Sequence, residues 1–134
     1  MLSNPTGCVN IGNGWLDDCF LHMEAGELDI GVIEPKWASA KWHLVPVDKT
    51  PFIVIQNDWK SEMCLQVQNH RLVCAPGSDS HDAHWYLERV KGSASFRLRL
   101  RSGADAYLHF EDSDLMVGTI EQTWWSAKWN LLHA

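Results

Sequence analysis

The tripeptide Ala-x-Trp occurs three times in 134 residues, as Ala40-Lys41-Trp42, Ala83-His84-Trp85 and Ala127-Lys128-Trp129, at steps of 43 and 44. A period that long in so short a chain means three copies of one supersecondary unit. Each is too small to bury its own apolar side and must pack on its sisters. Copies one and three superpose without a gap when 87 is added to the residue number. Leu21, His22, Glu24, Leu28, Gly31, Ile33, Glu34, Trp37, Ser39, Ala40, Lys41, Trp42 and Leu44 then each meet an identical residue. The middle copy follows at an offset of 44, matching Asn13 with Asn57, Trp15 with Trp59, Leu21 with Leu65 and Leu28 with Leu72, then loses one residue before Trp85. The repeats are expected at about 8–47, 52–90 and 95–134 within a single domain, with the middle one divergent.

Each copy reads as short strands between turn signals, with no helical period of useful length. Phe20-Leu21-His22-Met23-Glu24 alternates, Ala25-Gly26-Glu27 turns and Leu28-Asp29-Ile30-Gly31 returns, which predicts a hairpin. Its counterparts are Cys64 to Gln68 turning at Asn69-His70, and Tyr107 to Glu111 turning through Asp112, Ser113 and Asp114. Alternation sends Leu21, Met23, Leu65, Val67, Leu108 and Phe110 inward, and His22, Glu24, Gln66, Gln68, His109 and Glu111 toward solvent. An opening strand at about 9–13, 52–56 and 96–100 and a closing strand entered through the shared Trp complete four strands per unit. Twelve strands in three equivalent groups close best around a pseudo-threefold axis.

This pattern resembles the β-trefoil superfamily over nearly the whole chain. The resemblance implies an all-β fold of twelve strands, six in a short barrel and six in three capping hairpins. The repeated Trp looks like the last residue of the ricin-type Gln-any-Trp motif, but Ala40, Ala83 and Ala127 stand where that motif has Gln. Ricin-type binding residues are therefore not carried over, and fascin-like and other trefoil branches stay open.

A formal net charge of −6 argues against a general nucleic-acid binder, because phosphate binding draws on clustered Lys and Arg. Arg97, Arg99 and Arg101 share one strand face, read as a solvated outer surface. Cys8, Cys19, Cys64 and Cys74 form no repeating framework, and Cys64 and Cys74 read as idle or buried thiols in preference to a cross-hairpin disulfide. The first residues lack a signal-peptide pattern and no apolar stretch is long enough to span a bilayer. The expectation is a complete cytoplasmic protein without membrane insertion, with non-classical release left open.

Eight tryptophans divide into two groups. Trp42, Trp85 and Trp129 occupy the repeated strand position and are expected in the core. Trp37, Trp124 and Trp125 lie in loops, where an indole is costly to expose unless it packs down or binds something. Trp15 and Trp59 are read as covers for the barrel mouth. A flat indole beside polar groups suits a sugar ring, whose C–H face stacks while its hydroxyls hydrogen-bond. The matched partners are His22, Glu24, Glu34, Trp37 and Lys41 in copy one, and His109, Glu111, Glu121, Trp124 and Lys128 in copy three. Copy two has Gln66, Gln68 and Ser80 where copy one has His22, Glu24 and Trp37, so two good sites and one degenerate one are expected.

His81 and His84 are placed on opposite strand faces by their spacing, which leaves no metal site. No nucleophile elbow, phosphate-cradling loop or His-Glu-x-x-His helix is present, and paired acids such as Asp17-Asp18 fall in turns. The expectation is a non-enzymatic lectin-like protein without metal or cofactor, binding glycans or glycoproteins. The alternative is a protein target, such as a protease or toxin, met through the loop Ala75 to His81.

Overall fold

The structure is a computed structural model that describes residues 7–16, 18–24, 27–34, 36–103, 105–111, 114–121 and 123–133. Ala25, Gly26, Asp112 and Ser113 of the two hairpin turns, with Asp17, Pro35 and Gln122, lie outside the described residues. Repeat 1 supplies β1 (Gly7–Asn13), β2 (Cys19–Glu24), β3 (Glu27–Val32) and β4 (Trp42–Pro46). Repeat 2 supplies β5 (Ile53–Asn57), β6 (Met63–Gln68), β7 (Arg71–Pro76) and β8 (Trp85–Arg89). Repeat 3 supplies β9 (Phe96–Leu100), β10 (Tyr107–Glu111), β11 (Asp114–Gly118) and β12 (Trp129–His133).

Strands β1, β4, β5, β8, β9 and β12 pair antiparallel in a closed ring, each with the next and β12 back to β1. Closure leaves these six strands no free edge. The other six form three hairpins, each hung on the barrel by one matching pair: Gly12 with Phe20, Gln56 with Cys64 and Arg99 with Tyr107. This is the β-trefoil. In the middle hairpin Asn69 and His70 both take positive φ, 51° and 65°, the two-residue turn whose twist suits a tight β-hairpin.

Trp42, Trp85 and Trp129 are completely buried on the barrel axis side, packed in one cluster with Ile11, Ile55 and Leu98. Each indole N–H donates to a hairpin carbonyl, that of Leu21, Leu65 and Leu108 respectively, at 2.9 Å in all three copies. A ring that large enters a core without penalty only when its one donor is satisfied, and the repeat solves that problem identically each time.

Before each closing strand the chain makes one turn of 3₁₀ helix, Ala38–Ala40, His81–Ala83 and Trp125–Ala127, where the sequence reading expected plain loop. Each turn packs on the hairpin of its own repeat, and its last Ala has no exposed surface. Ala therefore fills a closed position here, where the Gln-any-Trp pattern has Gln.

The covering turn also overturns an expected face. His22, Gln66 and His109 do not point to solvent: they are 5%, 5% and 4% exposed, because the 3₁₀ segment and its loop lie over the outer face of β2, β6 and β10. Arg97, Arg99 and Arg101 are likewise not a free cationic face. Arg97 is buried and pairs with Glu88 at 3.3 Å, while Arg99 and Arg101 lie over the rings of Tyr86 and Phe52 at 5.1 and 4.6 Å.

The opening turn of each repeat is tied to the 3₁₀ turn of another. Gly14 N donates to Lys128 O at 2.6 Å, Asp58 N to Lys41 O at 2.9 Å and Arg101 N to His84 O at 2.8 Å. At the first two junctions a fully buried Asn reinforces the tie. Asn13 Nδ2 donates to Ser126 O at 3.0 Å while its Oδ1 accepts from Trp15 N and Leu16 N. Asn57 does the same with Ser39 O at 3.0 Å and with Trp59 N and Lys60 N. The third junction has Leu100 in the Asn position and Ser102 in the Trp position.

Candidate functional site

In β2 the i, i+2 spacing puts His22 and Glu24 on one face, and the hairpin register sets Asp29 of β3 opposite His22. His22 Nδ1–H donates to Phe20 O at 3.2 Å, and its Nε2 lies 3.3 Å from Glu24 Oε2. The loop after β3 adds Glu34 and Trp37, held together by Trp37 N donating to Glu34 O at 3.1 Å. These five side chains line a cavity of about 470 Å³. A side chain at Gly31 would begin 3.9 Å from the imidazole, so glycine keeps backbone against one edge of that ring. Trp37 is 54% exposed although it is a large apolar group in a loop.

Repeat 3 rebuilds much of this. His109 Nδ1 lies 3.5 Å from Glu111 Oε2, and its ring is 5.8 Å from that of Trp124. Nδ1 is buried with no hydrogen-bond partner, an uncommon state for a polar atom in a folded protein. Burial pushes the imidazole below its ordinary value, and the Glu111 carboxylate pulls weakly the other way.

In repeat 2 the same position closes on itself. Gln66 Nε2 donates to Ala75 O, Pro76 O and Gly77 O at 2.8, 3.3 and 3.2 Å, and Ser80 Oγ accepts from Asp82 N. At the positions of Trp37 and His22 the middle copy therefore has neither an indole nor an imidazole.

Not every expected residue joins a pocket. His22, Glu24, Glu34 and Trp37 come together, as do His109, Glu111 and Trp124. Lys41 lies outside the repeat 1 cavity, and Lys128 holds its Nζ 4.1 Å over the Trp125 ring. Glu121 contributes a backbone carbonyl, to Trp124 N, but lines none of the described cavities. Asp29 was missed in the sequence because copy three has Met116 at the matching position.

Trp15 and Trp59, expected as covers for the barrel mouth, stand 58% and 52% exposed, and each forms a second wall facing the loop Trp of a neighbouring repeat. Only the junction bonds reveal that pairing, and no local sequence pattern carries them.

Among the described residues, two donor sets could hold a cation, each with its ligating atoms within 4.8 Å of one another: His22 with Glu24 and Asp29, and Cys8 with His43 and Asp58. In the second, His43 Nε2 already sits 2.6 Å from Asp58 Oδ1. His81 and His84 are not on opposite faces, since the 3₁₀ turn brings their rings to 5.8 Å. Both nitrogens of His84 are nevertheless taken, by Ser78 O and the Arg101 guanidinium. Cys8, Cys64 and Cys74 are free thiols, and burial pushes that of Cys74 up to about 12.

No protein-family model matches the chain, and no curated protein matches it in sequence. Solved structures do. A GlcNAcα1-4Gal-releasing endo-β-galactosidase from Clostridium perfringens aligns at TM-score 0.83 and 21% identity over 98% of this chain. The chain spans 34% of that protein's length. The designed threefold-symmetric protein ThreeFoil aligns at TM-score 0.82 and 14% identity, over 96% of this chain and 99% of that one. SeviL, solved bound to the asialo-GM1 saccharide, aligns at TM-score 0.80 and 20% identity, over 97% and 99% of the two chains. Identities this low establish a shared fold, the β-trefoil.

Proposed function

We propose that the protein is a non-enzymatic, lectin-like glycan-binding module with one site on repeat 1 and one on repeat 3. The observation that carries this reading is the recurrence of one constellation, a buried imidazole near a carboxylate and a loop indole, at His22–Glu24–Trp37, where the indole is exposed, and at His109–Glu111–Trp124, where it is half-buried. The indole offers a face for sugar C–H groups, and the carboxylates accept from hydroxyls. The saccharides handled by two structural neighbours, asialo-GM1 by SeviL and GlcNAcα1-4Gal by the endo-β-galactosidase, support the choice of ligand class.

Binding to a broad glycan array, followed by calorimetry with the strongest hit, tests the proposal. Trp37→Ala and Trp124→Ala should each weaken binding about tenfold or more at one site with the melting temperature little changed. Unchanged affinity in both variants removes these pockets from the function.

The protein-target alternative rests on the exposed loop from Pro76 to His81, pinned at its base by Gln66 and His84. A pull-down in which free sugar releases nothing would favour it.

A further inference from the structure

Two clefts at the repeat junctions are built from corresponding residues. The first, of about 460 Å³, is lined by Met23, Glu24, Trp37, Ala38, Ser39 and Trp59. The second, of about 340 Å³, is lined by Phe110, Glu111, Trp124, Trp125, Ser126 and Trp15. Adding 87 to the first five numbers of one set gives the other, and Trp15 and Trp59 are the matched pair of opening turns. The same two-walled arrangement therefore forms twice, from sequence segments far apart in the chain.

Each cleft depends on a buried Asn. Asn57 ties the turn carrying Trp59 to Ser39 O, and Asn13 ties the turn carrying Trp15 to Ser126 O. The third junction lacks both elements: Leu100 replaces the Asn, and Ser102, in the Trp position, hydrogen-bonds to Asp82 across the gap. The Arg101 N–His84 O bond keeps this junction together, but the buried Asn and the second indole are both gone from it, and Gln66 has also closed the imidazole position.

The cleft is continuous with the pocket of the proposed function, because Trp37 and Glu24 line both. Trp37 is the partition, with the His22–Asp29–Glu34 side polar and the Trp59 side aromatic. A ligand seated on the polar side has its next unit directed over the partition or away from the protein. We propose that Trp59 and Trp15 are extension subsites that hold the second sugar ring of an oligosaccharide whose first ring sits at His22 or His109. The proposal rests on the glycan-binding reading, and it makes the preferred ligand a chain of at least two sugars. One ring face stacks on the exposed indole, and Glu24 or Glu111 accepts from hydroxyls on either side of the glycosidic bond.

The test compares chain lengths. Galactose with Galβ1-4GlcNAc, glucose with cellobiose and mannose with mannobiose are titrated against the intact chain and against the Trp15→Ala/Trp59→Ala double variant. Melting curves confirm that the variant is folded. In the series that binds, the disaccharide should exceed its monosaccharide by about three- to tenfold. The double variant should lose that increment while monosaccharide affinity stays unchanged. The indole N–H resonances of Trp15 and Trp59 should shift with disaccharide only. A disaccharide no tighter than its monosaccharide, or an increment that survives in the variant, overturns the subsites and leaves the glycan reading standing. Absence of binding by every probe sinks both.

Discussion

His22 in repeat 1 and Gln66 in repeat 2 occupy the same strand position and are equally buried, yet they bond to different things. Gln66 reaches three carbonyls of its own loop, whereas His22 faces a carboxylate beside an open cavity, and His109 in repeat 3 has Glu111 Oε2 at 3.5 Å from an Nδ1 that makes no hydrogen bond. The comparison teaches that the trefoil's core demands and its surface demands are separable. Three core indoles with the same 2.9 Å bond hold all repeats to one geometry, while the residue at one hairpin position decides whether the group above the core is tied to its own loop, as Gln66 is, or faces a carboxylate, as His22 and His109 do.

Removing the shared feature should affect every repeat alike. Trp85→Ala in the middle copy leaves a large cavity and an orphaned Leu65 carbonyl, and should destabilise the fold by about 3–5 kcal/mol. Denaturant melts of Trp42→Ala and Trp129→Ala should give losses of the same order. A much smaller loss in one copy would break the claim that the cores are equivalent.

A smaller effect should separate the junctions. Asn57→Ala removes three hydrogen bonds at a fully buried site and strands the amides of Trp59 and Lys60, which should lower stability by about 1–3 kcal/mol. Asn57→Ala should accelerate amide exchange around Trp59 while leaving it unchanged in the opening turn of repeat 1, which Asn13 holds.

The smallest effect is one of pH. His109 is held below its ordinary value by burial, so the folded chain keeps the ring neutral where the unfolded chain would protonate it. Stability from this group is fully present above the unfolded value of about 6.5 and is lost as pH falls through that value toward the lowered one. His109→Gln, which copies repeat 2, should flatten this part of the stability profile between neutral and mildly acid pH. An unaltered profile would show that His109 titrates as in the unfolded chain.

Much of this was legible in the residues. The period of Ala-x-Trp implies the threefold barrel, and the alternation around Leu21, Leu65 and Leu108 places the hairpins. The burial of His22 and His109 was not legible, because a period-two pattern assigns one face to solvent and cannot register a loop folding back over it. Nor were the roles of Trp15 and Trp59, whose partners are in other repeats and are reached only through Gly14–Lys128 and Asp58–Lys41 bonds. Asp29 was hidden for a different reason, since comparing copies highlights what is shared and Met116 breaks the match.

Counting sites tests the account most directly. Indole N–H resonances followed during titration with the best array glycan should show saturable shifts at Trp37 and Trp124 and none at Trp85, with a stoichiometry near two per chain. Trp37→Ala should reduce that count to one, as should Trp124→Ala, and the double variant should bind nothing. Three sites per chain, or a count that survives both substitutions, would contradict the assignment of function to repeats 1 and 3.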